Sequence, residues 1–325
     1  MSLPILFALL LGGFVLLLVT ADYLIRGAAA LARKWGVPKL LVGLTIVAFG
    51  TSAPELAVSV DAVLEGQPDV ALADIIGSNI ANVLLILGVP ALIFGAIGVT
   101  TPGLRRNAIV AFAATVLLIG LSWDGLVILR DGLILLAVLI LYLLWLYRDA
   151  RKPEIADPQI AELTDFEEME AMPHSWLRIA GMILIGVIGL PLGGVMIVKG
   201  GMGVAYAAGV PPAVVGLTLF ALGTSLPELA ASVISAARGH AEVAIGNVLG
   251  SNLFNILAVG GIASMVGDIP VTQQFFAVEF WLMLGTTGLL ALLIFMRTKL
   301  NRFIGFAMLA GYAGYIYWLA RLTLG

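Results

Sequence analysis

Long apolar runs separated by short polar connectors make up most of this chain. Ten of them have roughly the 17–25 residues that a helix needs to cross a bilayer. They are residues 3–25, 40–64, 71–97, 107–123, 131–148, 177–199, 213–237, 243–266, 276–296 and 303–320. The pattern predicts an all-α integral membrane protein with ten transmembrane helices. The first run lacks the basic start and small-residue cleavage site of a signal peptide, so we interpret it as a retained span.

Basic residues in the connectors predict the orientation of these spans. With the N-terminus outside, fourteen Lys and Arg residues fall in cytoplasmic connectors, whereas only Arg130, Lys199 and Arg321 fall outside. Both termini are therefore predicted to be extracytoplasmic, and the acidic connector 149–176 to be cytoplasmic. We interpret this connector as a solvated linker, because its acidic side chains show no ordered ligand spacing.

One pattern occurs twice in the chain. VGLTIVAFGTSAPELAVSV at 42–60 returns as VGLTLFALGTSLPELAASV at 215–233, and IIGSNIANVL at 75–84 returns as VLGSNLFNIL at 248–257. Corresponding residues in both pairs are 173 positions apart.

The predicted spans give the two copies opposite directions. Five spans precede the second half, an odd number, so that half enters the membrane from the other side. Residues 1–148 and 177–325 are thus predicted to be two inverted-topology five-helix repeats joined by the linker 149–176. Secondary transporters commonly have this architecture, with the substrate bound near the midplane between the repeats.

Composition narrows the class of protein. The chain is 61% hydrophobic and 11% charged, whereas soluble domains carry roughly 25% charged residues. A net charge of −3 gives no indication of a nucleic-acid partner, and the absence of cysteine excludes disulfides, thiolate metal sites and a cysteine nucleophile. The two histidines, His174 and His240, fall in connectors, which excludes a histidine-built zinc site inside the membrane.

Each copy of the motif places polar residues on one face of an apolar helix. A glutamate in a membrane span is costly, and it marks a functional site by default. Pro54 and Pro227 should also free backbone carbonyls near the threonines, because proline cannot donate to the carbonyl four residues earlier. The candidate residues are Ala48, Thr51, Ser52, Glu55, Ser78 and Asn82 in the first half and Ala221, Thr224, Ser225, Glu228, Ser251 and Asn255 in the second.

These side chains and carbonyls supply oxygen ligands, which favour Ca²⁺ or Na⁺ over zinc or copper. Two carboxylates neutralise either one Ca²⁺ or two Na⁺, which gives a physical basis for exchange at one site. Other readings remain open at this point. The glutamates and serines fit capping boxes at helix starts, the asparagines could join helices, and the hydroxyls could bond to their own helices.

Four further acids lie near the predicted outer ends of spans 2 and 3. They either enrich cations at an external mouth or are ordinary solvated loop residues. They are Asp61, Glu65, Asp69 and Asp74.

The doubled G-T-S-x-P-E and G-S-N-x-x-N motifs resemble the alpha-repeats of the calcium/cation antiporter superfamily, nearest its prokaryotic sodium/calcium exchanger branch. The resemblance implies a Na⁺/Ca²⁺ antiporter of the prokaryotic inner membrane that works by alternating access. It also implies that spans 1 and 6 slide past an eight-helix core, and the span 6 glycines Gly189, Gly193 and Gly194 fit such a contact.

The resemblance assigns roles to the candidate residues. Glu55 and Glu228 would be the central ligands, with carbonyls of Thr51 and Thr224 on Ca²⁺ and Asn82 and Asn255 between the glutamates. Flanking Na⁺ sites would involve Ala48, Ser52 and Ser78 on one side and Ala221, Ser225 and Ser251 on the other. Some members carry aspartate at the position of Asn255, so the asparagine here counts against behaviour that needs a third carboxylate.

Alternative functions remain for this set of residues. An H⁺/Ca²⁺ antiporter, or one for another divalent cation, would load protons on the glutamates. A cation channel fits less well, because channels usually build pores from symmetric subunits. An enzyme would need a nucleophile and base, or an open catalytic metal, so we expect no enzyme and no cofactor. The expected partners are Ca²⁺ and Na⁺ as substrates and the lipid bilayer, with no nucleic acid and no obligatory protein partner.

Overall fold

Helices form nearly everywhere that the sequence is apolar over a long run. The computed structural model describes residues 1–95, 97, 98, 103–149, 175–207 and 223–324. Two short strands, β1 Leu126–Val127 and β2 Ile269–Pro270, pair antiparallel with Val127 opposite Ile269. The helices in these ranges are α1 Leu3–Trp35, α2 Lys39–Thr51, α3 Ala53–Leu64, α4 Pro68–Phe94, α5 Leu104–Leu121, α6 Leu129–Asp149, α7 Trp176–Ala207, α8 Leu226–Ala237, α9 Ala241–Val266, α10 Phe275–Phe295 and α11 Arg302–Leu324.

The predicted all-α membrane fold is confirmed. Within the part of the chain that the structure describes, eight helices are apolar and long enough to cross a bilayer, and α2 with α3 makes a ninth if the bent pair counts as one span. The helix α8 covers only the later part of the predicted span 213–237, whose first residues lie outside the described ranges. Ten spans and an inverted repeat therefore stay predictions.

In the first copy of the longer motif the helix is interrupted at a serine, and in the second copy a helix begins after the corresponding serine. α2 ends at Thr51, Ser52 has a ψ of 6°, and α3 continues at 42° to α2. In the second copy α8 begins directly after Ser225, whose ψ is −1°. Pro54 and Pro227 account for the breaks, since each removes one backbone hydrogen bond of its helix. The predicted disturbance of the backbone beside Thr51 is confirmed.

The helices that carry the shorter motif contain wide turns. A π-helical segment spans Asn82–Ile86 in α4, and another spans Asn255–Val259 in α9. Such segments are uncommon and often lie at functional sites. Both begin at the asparagines predicted to lie between the glutamates, so the backbone changes its winding where these side chains leave it.

The same two helices occupy the centre of the molecule. The most apolar window of α9 is 89% buried and that of α4 is 72% buried, against 22% for α1 and for α11. Outer helices instead expose large apolar side chains such as Phe14, Val15 and Phe303. Exposed apolar faces of this extent fit contact with lipid, so the polar motif residues are held far from the bilayer.

α1 and α7 pack along each other and share an apolar cluster that is separate from the main core. Glycine makes the close approach possible. A Cβ at Gly193 would lie 3.0 Å from the nitrogen of Leu17, and one at Gly189 would overlap the Thr20 side chain. The glycines at these two positions therefore contact α1, the other helix of the expected sliding pair, and not the core, whereas Gly194 faces the start of α8.

Candidate cation-binding site

Two glutamates lie fully inside the protein, each just after a helix break. Glu55, in the first turn of α3, is 1% exposed, and Glu228, in the first turn of α8, is 0% exposed. The two helix starts are joined by Ser52, which precedes Glu55 by three residues and contacts Glu228. Removing a carboxylate from water is costly unless a cation, a proton or several hydrogen bonds compensate it.

Hydrogen bonds compensate these carboxylates only in part. Ser52 Oγ donates to Glu228 Oε1 at 3.2 Å and so joins the break between α2 and α3 to α8. Among the described residues, neither oxygen of Glu55 nor Oε2 of Glu228 has a hydrogen-bond partner. No lysine, arginine or histidine in the described ranges forms an ion pair with either glutamate. Three buried acceptor atoms are therefore without a donor in the part of the chain that the structure describes.

The predicted amides lie beside the glutamate-bearing helices and are also fully buried. Asn82 Nδ2 donates to Asn252 Oδ1 at 2.9 Å, which ties α4 to α9. Within the described part of the chain, Asn82 Oδ1 and both polar atoms of Asn255 have no partner. The reading of Asn82 as a link between helices is thus confirmed for its amide nitrogen, and its oxygen stays available as a ligand.

The hydroxyls of the two copies differ in their contacts. Thr51 Oγ1 donates to Asn247 Oδ1 at 3.2 Å and lies 3.3 Å from Ser251 Oγ. The corresponding pair, Thr224 and Ser78, is also buried. In the ranges described, however, no hydrogen bond joins these two side chains. Ser225 Oγ likewise has no partner among the described residues.

The Ala48 carbonyl, an expected Na⁺ ligand, accepts a hydrogen bond from the Ser52 backbone N–H at 2.9 Å. Thr51 Oγ1 lies 3.2 Å from the same oxygen and 3.2 Å from Asn247 Oδ1, and its single proton can serve only one of them at a time. When the threonine donates to Asn247, one lone pair of the Ala48 carbonyl is left for a cation. Ala221, its counterpart, lies outside the described residues.

The capping interpretation of the two serines is wrong. Neither Ser52 at the start of α3 nor Ser225 at the start of α8 makes a side-chain capping bond. The Ser52 hydroxyl instead reaches across to Glu228. The prolines already remove one free N–H from each first turn, so the serine side chain is released for another contact.

Sequence reasoning missed several polar residues around the site. Asn79 and Asn252 belong to the quoted G-S-N triplets, and Asn252 Nδ2 donates to the Asn79 carbonyl at 3.4 Å. Asn247 Nδ2 donates to Ser232 Oγ at 3.3 Å and to the Glu228 carbonyl at 3.4 Å. The 173-residue register was the available signal, because Asn79 and Asn252 occupy corresponding positions.

The donor set as a whole suits a hard cation. It offers carboxylate, amide and hydroxyl oxygens at the centre of an apolar bundle, the ligand type that Ca²⁺ and Na⁺ prefer. No three His, Asp or Glu side chains in the described ranges are grouped to hold one metal ion. Any cation here would therefore rely on the two glutamates and on neutral oxygen atoms.

Comparison with known proteins adds to this geometry. The profile of the family described as "Sodium/calcium exchanger protein" matches residues 5–148 and 178–321. The inner membrane protein YrbG of Escherichia coli is 34% identical over 97% of this chain and 96% of its own length. The putative antiporter CaxA of Alkalimonas amylolytica is 33% identical over 94% of this chain and 96% of its own length.

A solved structure is also similar along the whole chain. It is a structure of the sodium-calcium exchanger NCX_Mj, obtained after soaking with Na⁺ and Sr²⁺. The match has a TM-score of 0.82 and 28% sequence identity, and it covers 97% of this chain and 99% of that one.

Proposed function

This chain belongs to the sodium/calcium exchanger protein family, and from that premise we propose that it exchanges Na⁺ for Ca²⁺ across a membrane by alternating access. The observation that carries the proposal is the pair of buried glutamates, with three carboxylate oxygens that lack a partner among the described residues. Two such charges need either one Ca²⁺ or two Na⁺ for neutrality. The same pocket can therefore hold either load at similar electrostatic cost.

The proposed ligands are the residues of the doubled motif. Glu55 and Glu228 bind Ca²⁺ or Na⁺ directly, with help from backbone carbonyls of Thr51 and Thr224. Flanking Na⁺ ions use the remaining oxygens of both copies. These are Ala48, Ser52 and Ser78 in the first half and Ala221, Ser225 and Ser251 in the second, while Asn82 and Asn255 lie between the glutamates.

We also propose the inverted arrangement of residues 1–148 and 177–325, joined by a cytoplasmic linker 149–176, with both termini outside the inner membrane. Two copies of one site that face opposite sides could open alternately to each side. α1 and α7 are the proposed moving pair, because the glycine contacts between them hold the two helices close together as one unit. Their apolar contacts with α2, α8 and α9 are grouped apart from the larger core cluster.

An H⁺/Ca²⁺ antiporter is the second candidate. It is favoured by Glu55, whose two oxygens have no partner among the described residues and which would accept a proton in place of Na⁺. The paired serine and threonine hydroxyls favour Na⁺, because a bound proton needs no such shell of oxygens.

Uptake of ⁴⁵Ca²⁺ into proteoliposomes separates these candidates. Vesicles loaded with Na⁺ are compared with Na⁺-free vesicles, with and without an imposed pH gradient, and empty liposomes serve as the control. Uptake driven by the Na⁺ gradient alone supports the proposal. Uptake driven only by the pH gradient would replace Na⁺ by H⁺ as the counter-ion, and no uptake under either gradient would refute Ca²⁺ antiport.

A further inference from the structure

One polar position beside the site differs in charge between the two halves. Asp74 in α4 corresponds to Asn247 in α9, 173 residues later. Glu, Asn, Thr and Ser at the other candidate positions are matched by the same residue type in the second half. The aspartate therefore breaks a pattern that the chain otherwise repeats.

Asp74 and its counterpart Asn247 make the same kind of contact with a serine, although only Asp74 is charged. Ser59 Oγ donates to Asp74 Oδ2 at 3.1 Å, and the corresponding pair, Asn247 Nδ2 with Ser232 Oγ, lies at 3.3 Å. Both serines are completely buried. Asn247 also bonds Thr51 and the Glu228 backbone, so its pair belongs to a closed polar network.

Asp74 lies one helical turn outside the central glutamates. Ser59 follows Glu55 by four residues on α3, and Asp74 precedes Ser78 by four residues on α4. The Asp74 side chain is partly exposed, and it lies on the side of the site where α3 ends and α4 begins.

Asp74 does not complete the central site itself. The three carboxylates are not grouped around one metal position in the described ranges. One carboxylate and one hydroxyl make an incomplete shell for Ca²⁺, which takes six to eight oxygens, so water would have to supply the rest. The geometry fits a partly hydrated ion that has not yet reached Glu55.

We propose that Asp74 and Ser59 form a second, weaker Ca²⁺ station, at which the ion loses part of its water before it moves to Glu55 and Glu228. The station rests on the proposed function, because it requires Ca²⁺ as cargo. The station has no counterpart in the second half, because the corresponding residues, Asn247 and Ser232, carry no charge. Coulomb attraction to one carboxylate is twice as large for Ca²⁺ as for Na⁺ at equal distance, so the station favours the divalent ion.

The central test is Asp74→Asn, which reproduces the neutral residue of the second half and can still accept the Ser59 hydrogen bond. In ⁴⁵Ca²⁺ uptake we expect the Ca²⁺ concentration for half-maximal rate to rise about tenfold, with the maximal rate within about twofold. Asp69→Asn is the matched control, an exposed acid at the same end of α4. Asp74→Glu should restore most of the affinity.

Equilibrium ⁴⁵Ca²⁺ binding to the purified protein in Na⁺-free detergent tests the station without transport. We expect a tight ion and a weaker one in the unaltered protein, and Asp74→Asn should lose only the weaker ion. The proposal is wrong if Asp74→Asn matches Asp69→Asn in both assays, or if it loses the tight ion. Absence of Na⁺-driven uptake by the unaltered protein would instead count against the proposed function. The binding experiment would still show whether Asp74 holds a second Ca²⁺ ion.

Discussion

In the first copy of the motif, Ser52 reaches across to Glu228, and Thr51 bonds with Asn247 and approaches Ser251. The corresponding contact between Ser225 and Glu55 is not made: within the described residues, neither Ser225 Oγ nor either carboxylate oxygen of Glu55 has a partner. The same residue types thus adopt two different sets of contacts in one structure.

This difference shows what a repeated site can do. If the halves were locked in one symmetric arrangement, each contact would occur twice. Instead, Ser52 is hydrogen-bonded to Glu228 while the corresponding pair, Ser225 and Glu55, is not bonded within the described residues, an asymmetry that an alternating device would need at any one moment. Exchange of the two sets of contacts between the halves would move access from one face to the other.

The strongest test of the comparison is to neutralise each glutamate in turn. Glu55→Gln and Glu228→Gln should each lower Ca²⁺ uptake by a factor of about 100 or more, since one missing partner leaves a buried charge poorly compensated. Size-exclusion chromatography controls for folding. Near-normal uptake by both variants would contradict the shared site, and a defect in only one would show that the halves are not equivalent ligands.

A second test slows the exchange between arrangements without touching a ligand. Gly189→Ala adds a methyl group that would overlap Thr20 on α1. Overpacking of about 1–3 kcal/mol should reduce the exchange rate about tenfold and leave Ca²⁺ binding intact. Gly181→Ala, on the same helix but with no described atom within 4 Å of the added carbon, is the control. Equal rates in the two variants would show that the contact between α1 and α7 does not limit the movement of the pair.

A third test adds charge at the matching amides. Asn255→Asp and Asn82→Asp each introduce a titratable group beside the glutamates. At low pH the protonated aspartate resembles asparagine, so the difference from the unaltered protein should grow as pH rises, to several-fold in uptake rate. A pH profile identical to that of the unaltered protein would place the altered residue outside the site.

Much of this architecture could be predicted from the sequence, because corresponding residues of the two copies are a constant 173 positions apart. A prediction made for one copy could therefore be compared with the other. Apolar length predicts the helices, and proline predicts the breaks after Thr51 and before α8. The π-helical turns at Asn82 and Asn255 were not predictable, since they depend on packing rather than on residue type. The capping reading failed because a capping box and a ligand pair look alike until the direction of the Ser52 hydroxyl is known.

The smallest expected effect comes from the hydroxyl that distinguishes the copies. Ser52→Ala removes the bond to Glu228, which is worth about 1 kcal/mol, or about fivefold in rate. Ser225→Ala removes no side-chain bond within the described part of the chain. If the halves alternate, however, Ser225 must make the corresponding bond to Glu55 in the other arrangement, so both variants should slow steady-state ⁴⁵Ca²⁺ exchange to a similar degree. A loss confined to Ser52→Ala would mean that the asymmetry is fixed, and that access changes without any exchange of these contacts.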